Sequence, residues 1–63
     1  MKYYCVTSTY DDRGHVTAHI TNEIESDEKP ENSFHETPKK DIYHDWFNDQ
    51  VRAFEFIRAT LTA

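Results

Sequence analysis

The chain has 63 residues, 37% of them hydrophobic, and a formal net charge of −5, which together describe one small domain. A chain of this length buries only ~60% of the surface that its unfolded form exposes, so we expect marginal stability and a homodimer that adds buried surface. One cysteine excludes an internal disulfide, no apolar run approaches the roughly 18 residues of a membrane span, and the start lacks the apolar stretch of a signal peptide, so the sequence predicts a cytoplasmic protein.

A β-hairpin is predicted over residues 2–24, where two runs rich in Val, Ile, Thr and Tyr flank Asp11-Asp12-Arg13-Gly14. An Asp at the start and the only glycine of the chain at the fourth position favour a type I turn closed by a left-handed residue. The predicted pairs are Tyr10 with Val16, Ser8 with Ala18, Val6 with Ile20 and Tyr4 with Asn22.

This register separates the two faces of the hairpin, whereas a slip of one residue would mix them. The apolar face consists of Tyr4, Val6, Tyr10, Val16, Ala18 and Ile20, and the other face of Tyr3, Cys5, Thr7, Thr9, Thr17, His19 and Thr21. We expect the apolar face to lie beneath a helix and the Thr-rich face to stay open to water or to a second chain.

The acidity of the chain belongs to the segment from Glu23 to Glu36, which holds six acids and one base, whereas the rest of the chain is balanced. Residues 25–33 contain no large apolar side chain, so they are predicted to form an exposed loop. Two interpretations stay open: a solvated loop, or an acidic surface offered to a basic partner. Both oppose nucleic-acid binding, because affinity for phosphates comes from Lys and Arg.

Residues 34–47 are predicted to add one or two strands. Phe34 to Thr37 is typical of a short strand, Pro38 suits the second position of a turn, and the run 41–47 is rich in aromatic residues. That run is apolar on both of its alternating sets, so the pattern leaves open which of its faces belongs to the core.

A helix is predicted over residues 49–61, with Asn48 or Asp49 as its N-cap. Its apolar stripe is Ala53, Phe54, Ile57 and Leu61, widened on its two sides by Val51 and Phe56. The predicted fold class is therefore α+β: a three- to four-stranded antiparallel β-meander with one C-terminal α-helix packed on one face.

Catalytic and metal chemistry finds little support in the residue pattern. His15 and His19 are four residues apart, but on a strand their Cα atoms lie ~13 Å apart, too far for one ion. Cys5 and His19 are near neighbours in the predicted hairpin, yet a flat sheet offers neither a water-excluding pocket nor an oxyanion hole. The sequence predicts no enzyme, no metal and no cofactor.

The sequence therefore favours a small, non-catalytic accessory or regulatory protein that binds another protein. The residues predicted to contact the partner are Glu23, Glu25, Asp27, Glu28, Glu31, Tyr43 and Trp46. In this interpretation the acids steer a basic partner and the aromatic side chains anchor it. One variant is an acidic inhibitor encoded by a phage or mobile element. The alternative is a regulator that binds single-stranded nucleic acid on the aromatic and Thr-rich face of the sheet.

The run from Tyr43 through Asp49, followed by Ala53 and Phe56-Ile57, resembles strand-into-helix junctions common in many small bacterial and phage proteins. The resemblance covers about 15 residues and implies no activity.

Overall fold

The computed structural model describes residues 1–62 and confirms the α+β fold class. Its elements are β1 (Lys2–Asp11), β2 (Val16–Glu25), β3 (Ser33–Glu36), β4 (Lys40–Phe47) and α1 (Gln50–Thr62). The four strands form one antiparallel sheet in the order β2-β1-β4-β3, and α1 packs on one face of it. Within residues 1–62, no helix has the length and apolar character needed to cross a membrane.

The first hairpin turns at Gly14, as predicted. Gly14 has a φ of 82° and donates its backbone N–H to the Asp11 carbonyl, while the Asp11 N–H bonds the His15 carbonyl. The Asp11 carboxylate also accepts the backbone N–H groups of Arg13 and His15 at 2.9 and 2.7 Å. The predicted pairs Tyr10–Val16, Ser8–Ala18 and Val6–Ile20 are confirmed.

The fourth predicted pair is wrong, because a β-bulge lies between Val6 and Cys5. Val6 pairs with Ile20 and Cys5 with Asn22, so Thr21 is the extra residue, and Tyr4 lies opposite Glu23 instead of Asn22. A bulge sets two residues against one and resets the alternation of the strand beyond it.

The sheet consists of two hairpins, β1–β2 and β3–β4, which pair with each other through β1 and β4. β3 and β4 are joined by a turn in which the Thr37 N–H bonds the Lys40 carbonyl, with Pro38 at the second position as expected. β4 then pairs with β1, and the Asp12 N–H donates to the Lys39 carbonyl, which ties the two turns together. The strand order therefore differs from a simple meander, since β2 and β3 are the two edges of the sheet.

The core lies between α1 and the first hairpin. Val6, Ala18 and Ala53 are buried together, and the absence of a large side chain at Ala53 lets the helix approach the sheet closely. The partly buried side chains packed around them are Tyr4, Ile20, Phe47, Phe56 and Ile57.

The predicted helix stripe needs one correction. Phe54 and Leu61 are exposed, Phe54 by 53%, and the side chains that pack on the sheet are Ala53, Phe56 and Ile57. The helix is rotated from the predicted orientation because Phe56 contacts the Phe47 ring, with ring centroids 5.1 Å apart. Asp49 is the N-cap, and its carboxylate accepts the Val51 backbone N–H at 2.8 Å.

Candidate binding surfaces

The two faces of the sheet differ in charge. The helix face is the one that carries α1, and the open face is the opposite one. The strand residues of the helix face include Tyr4, Val6, Ser8, Tyr10, Glu23, Phe34, Glu36, Asp41, Tyr43, Asp45 and Phe47. Those of the open face include Tyr3, Cys5, Thr7, Thr9, Asp11, Thr17, His19, Ile24, His35, Lys40, Ile42, His44 and Trp46. Carboxylates thus concentrate on the helix face.

The helix covers only part of its own face. It packs mainly over β2 and β1, less over β4, and within residues 1–62 it makes no contact with β3. Three aromatic side chains therefore stay partly exposed beside it: Tyr10, Tyr43 and Phe34. Tyr43 lies between the other two, 5.6 Å from the Tyr10 ring in an edge-to-face arrangement and 4.8 Å from the Phe34 ring.

A groove of about 380 Å³ runs between this aromatic row and the helix. We call it the acidic groove, and its lining residues are Ser8, Tyr10, Asp41, Tyr43, Asp45 and Phe56. Ser8 is only 1% exposed, and within residues 1–62 its hydroxyl has no hydrogen-bond partner. A buried hydroxyl without a partner costs free energy, so this position tolerates a hydrogen-bond donor from the groove side.

Two half-buried carboxylates give the groove its charge. Asp41 and Asp45 are on the same face of β4, with Tyr43 between them. Neither carboxylate forms an ion pair within the part of the chain that the structure describes. Glu36 of β3 lies directly opposite Asp41. Like charges in this position destabilise a sheet, so the arrangement favours a cation from outside.

The predicted acids Glu23 and Glu25 already have partners. Glu23 forms an ion pair with Lys2 at 3.1 Å, and its hydrogen bond raises the pKa of the Lys2 ammonium. Glu25 forms an ion pair with the α-amino group of Met1 at 2.8 Å, and that hydrogen bond lowers the pKa of the Glu25 carboxyl. Both ion pairs are exposed at the surface, so they offset the charge of these acids without burying them.

The other predicted acids, Asp27, Glu28 and Glu31, are exposed on the connection between β2 and β3. This connection is held at both ends: the Ser26 N–H bonds the Met1 carbonyl, and the Asn32 side chain accepts the Trp46 backbone N–H at 2.8 Å. A second depression of about 500 Å³ adjoins the acidic groove at Asp45 and Phe56, and Lys29 and Asn32 of the connection border it.

The predicted anchors Tyr43 and Trp46 lie on opposite faces of β4. One partner surface therefore cannot bury both. Trp46 shares the open face with Cys5 and His44, where Thr7 bonds the His44 ring nitrogen Nδ1 at 2.9 Å and the Thr21 hydroxyl at 2.7 Å.

Cys5 lies near His44 instead of the predicted His19, with Sγ 4.0 Å from Nδ1. It is 4% exposed and thus poorly accessible as a nucleophile. Among residues 1–62, no three His, Cys, Asp or Glu side chains gather closely enough to hold a metal ion.

Sequence reasoning missed Ser8, Asp41 and Asp45. Asp41, Asp45 and Asp49 recur every four residues, an interval typical of one face of a helix, but the run crosses the boundary between the predicted strand and the predicted helix. An interval of four also places two residues on the same face of a strand, which is the signal that identifies Asp41 and Asp45.

No protein-family model, no curated protein and no solved structure matches this chain. The geometry defines its class: a small α+β protein with one acidic, aromatic groove and one sheet face that is almost free of carboxylates.

Proposed function

We propose that this protein is a small, non-catalytic binding module that holds a basic segment of another protein on its helix face. The observation that carries this proposal is the pair of half-buried carboxylates, Asp41 and Asp45, that have aromatic neighbours and, among residues 1–62, no ion-pair partner. Carboxylates beside aromatic rings attract Lys and Arg side chains both by charge and through the faces of the rings.

The exposed acids of the connection, Asp27, Glu28 and Glu31, lie outside the groove. The depression between the connection and the Asp45 end of the groove is lined by the cations Lys29 and Arg52, so these acids act on a partner at a distance and do not line the groove. Charges at the rim of an interface speed the encounter with an oppositely charged partner and add less to the lifetime of the complex. In this proposal the connection steers the partner and the groove retains it.

The proposal is tested by titration with poly-L-lysine at low and at high salt. We expect binding that weakens roughly tenfold or more as the Debye length falls from ~30 Å at 0.01 M salt to ~10 Å at 0.1 M. The variant Asp27→Asn/Glu28→Gln/Glu31→Gln slows association, and Asp41→Asn/Asp45→Asn speeds dissociation. The control Lys2→Gln/Glu23→Gln removes a neutralised ion pair outside the groove, so it keeps the net charge and leaves both rates nearly unchanged. An absence of binding at low salt contradicts the proposal.

A second candidate function, binding of single-stranded nucleic acid, is favoured by one observation about the open face. Its only acid on the strands is Asp11, which is engaged in the turn, whereas His19, His35, His44 and Lys40 all lie on it. Trp46 on the same face offers a ring for base stacking. Filter binding of single-stranded RNA, with Trp46→Ala as the variant, distinguishes this candidate, because its affinity falls steeply with salt and depends on Trp46 and not on Asp41.

A further inference from the structure

We infer that the acidic groove recognises an extended basic segment with cationic side chains at positions i and i+4, one for Asp41 and one for Asp45. This inference rests on the proposed function and specifies the ligand of that same surface. A general attraction between opposite charges would accept any basic segment. The inference requires a particular spacing of the cationic side chains in the partner.

The spacing of the two carboxylates supports this pattern. Asp41 and Asp45 are four residues apart on one face of β4, which at ~3.3 Å per residue places their Cα atoms ~13 Å apart. A segment in the same extended conformation repeats its side chains at the same interval, so its residues i and i+4 point to one side at a matching distance. Residue i+2 of that segment then faces Tyr43.

The unpartnered hydroxyl of Ser8 lies at the middle of this row. Ser8 pairs with Tyr43 in the register of β1 and β4, midway between the two carboxylates, and it lines the groove. A ligand N–H group that donates to Ser8 Oγ relieves the cost of its burial without a partner. The hydroxyl and the two acids are thus independent indications of a ligand in one place.

The walls of the groove suit the stems of long basic side chains. The rings of Tyr10 and Tyr43 stand at 90° to each other, and Phe56 of α1 closes the opposite side. Lys and Arg bury their methylene stems against such apolar surface while the charged end reaches a polar group. None of the six lining residues is a cation and two are carboxylates, so the charge of the groove disfavours a phosphate or a carboxylate.

The test uses two short, capped peptides of identical composition and charge. One carries Lys at i and i+4, and its isomer carries Lys at i and i+3, which places the two side chains on opposite sides of an extended chain. Calorimetric titration is expected to give roughly tenfold tighter binding of the i, i+4 peptide than of its isomer. The reason is that the isomer loses one of the two charged contacts. Amide chemical-shift changes are expected at Ser8, Asp41 and Asp45.

Variants of the protein separate the contributions. Asp41→Asn/Asp45→Asn is expected to abolish the preference between the two peptides, whereas Glu23→Gln/Glu25→Gln keeps it. Ser8→Ala leaves the protein folded, because it removes a hydroxyl that has no partner, and weakens binding of the first peptide about threefold to tenfold.

The outcomes distinguish this inference from the proposed function. Equal affinity for the two peptides, together with binding of poly-L-lysine, overturns the spacing rule and leaves the proposed function standing. An unchanged affinity in the Ser8→Ala variant overturns the contact with the hydroxyl. If neither peptide nor poly-L-lysine binds, the proposed function fails as well.

Discussion

Gly14 is the residue at which the chain reverses, and its φ of 82° lies in the left-handed region that other L-residues avoid. A Cβ atom built at this position meets no atom within 4 Å. We therefore expect Gly14→Ala to lower the free energy of unfolding by roughly 1–2 kcal/mol through backbone strain alone. Gly14→Asn is expected to cost less, since Asn tolerates this conformation. Urea denaturation checks both, and equal losses would contradict the explanation.

Asp11 makes the same turn sensitive to acid. The hydrogen bond from the His15 backbone N–H, with a further one from Arg13, lowers the pKa of the Asp11 carboxyl below its ordinary value of 3.8. A lowered pKa in the folded state means that the stabilisation is complete above the ordinary value and is lost as the pH falls through the folded one. The free energy of unfolding should therefore decline below about pH 4.

The matched variant for this prediction is Asp11→Asn, because an amide oxygen can accept the same two N–H groups but does not titrate there. Thermal denaturation measured from pH 2 to pH 7 should show a shallower acid decline for the variant than for the wild type. Parallel curves would mean that other carboxyls govern the acid sensitivity.

At the scale of the helix, two phenylalanines of α1 provide a matched pair. Phe56 packs against Phe47 and the core, whereas Phe54 faces water. Phe56→Ala should lower the free energy of unfolding by about 2–3 kcal/mol, somewhat less than for a fully buried ring because Phe56 is only partly buried. Phe54→Ala should stay within about 0.5 kcal/mol. Denaturant titration of the two variants measures the contrast, and a reversed order would contradict the observed rotation of the helix.

At the scale of the strand pair, β3 and β4 set Glu36 against Asp41. Removing one of two opposed like charges relieves repulsion, so Glu36→Gln should raise the free energy of unfolding by roughly 0.2–1 kcal/mol. The same change should weaken binding of poly-L-lysine, because the negative surface loses a charge. A variant that gains both stability and affinity would contradict the interpretation of this pair as part of a binding surface.

The hairpin could be predicted because Asp11 and Gly14 specify one turn and because Val6, Ala18 and Ile20 must share a buried face. The bulge at Thr21 could not, because Thr21, Asn22 and Glu23 are all polar and the next apolar residue, Ile24, keeps an even interval from Ile20 that is typical of a regular strand. The orientation of α1 about its own axis could not be predicted from the sequence for a related reason. Phe54 and Phe56 are chemically identical, and only the contact with Phe47 decides which one packs.

The acidic groove was harder still to foresee. It combines Ser8 of the first hairpin, Asp41 and Asp45 of the second, and Phe56 of the helix, so it exists only once β4 pairs with β1. Nothing local to any of these residues specifies that pairing. Strand order depends on which non-local contacts bury the most surface, and a periodic pattern does not encode it.

At the scale of the whole molecule, the homodimer stays a prediction. The Cα atoms extend over 38 × 23 × 13 Å, so one broad face is comparable with the ~800 Å² per partner of a standard interface. The open face suits this role, because it carries half-buried Ile42 and Trp46 and few acids.

Light scattering at two concentrations checks the prediction. We expect a mass twice that of one chain for the wild type and that of a single chain for Trp46→Lys. The control Val51→Lys, on the outer side of α1, should leave the mass unchanged. A wild-type protein that stays monomeric at both concentrations would contradict the homodimer.

The order of the strands also affects how the chain folds. β1 receives β2 after a short turn, but it receives β4 only after the chain has passed through the connection and β3. Because closing the longer loop costs more entropy, we expect the first hairpin to form early, while one side of β1 is still unpaired. Before β1 and β4 of one chain have paired, β4 of another molecule can pair with the free side of β1 equally well. Refolding at high concentration should therefore yield strand-exchanged species that refolding at high dilution avoids.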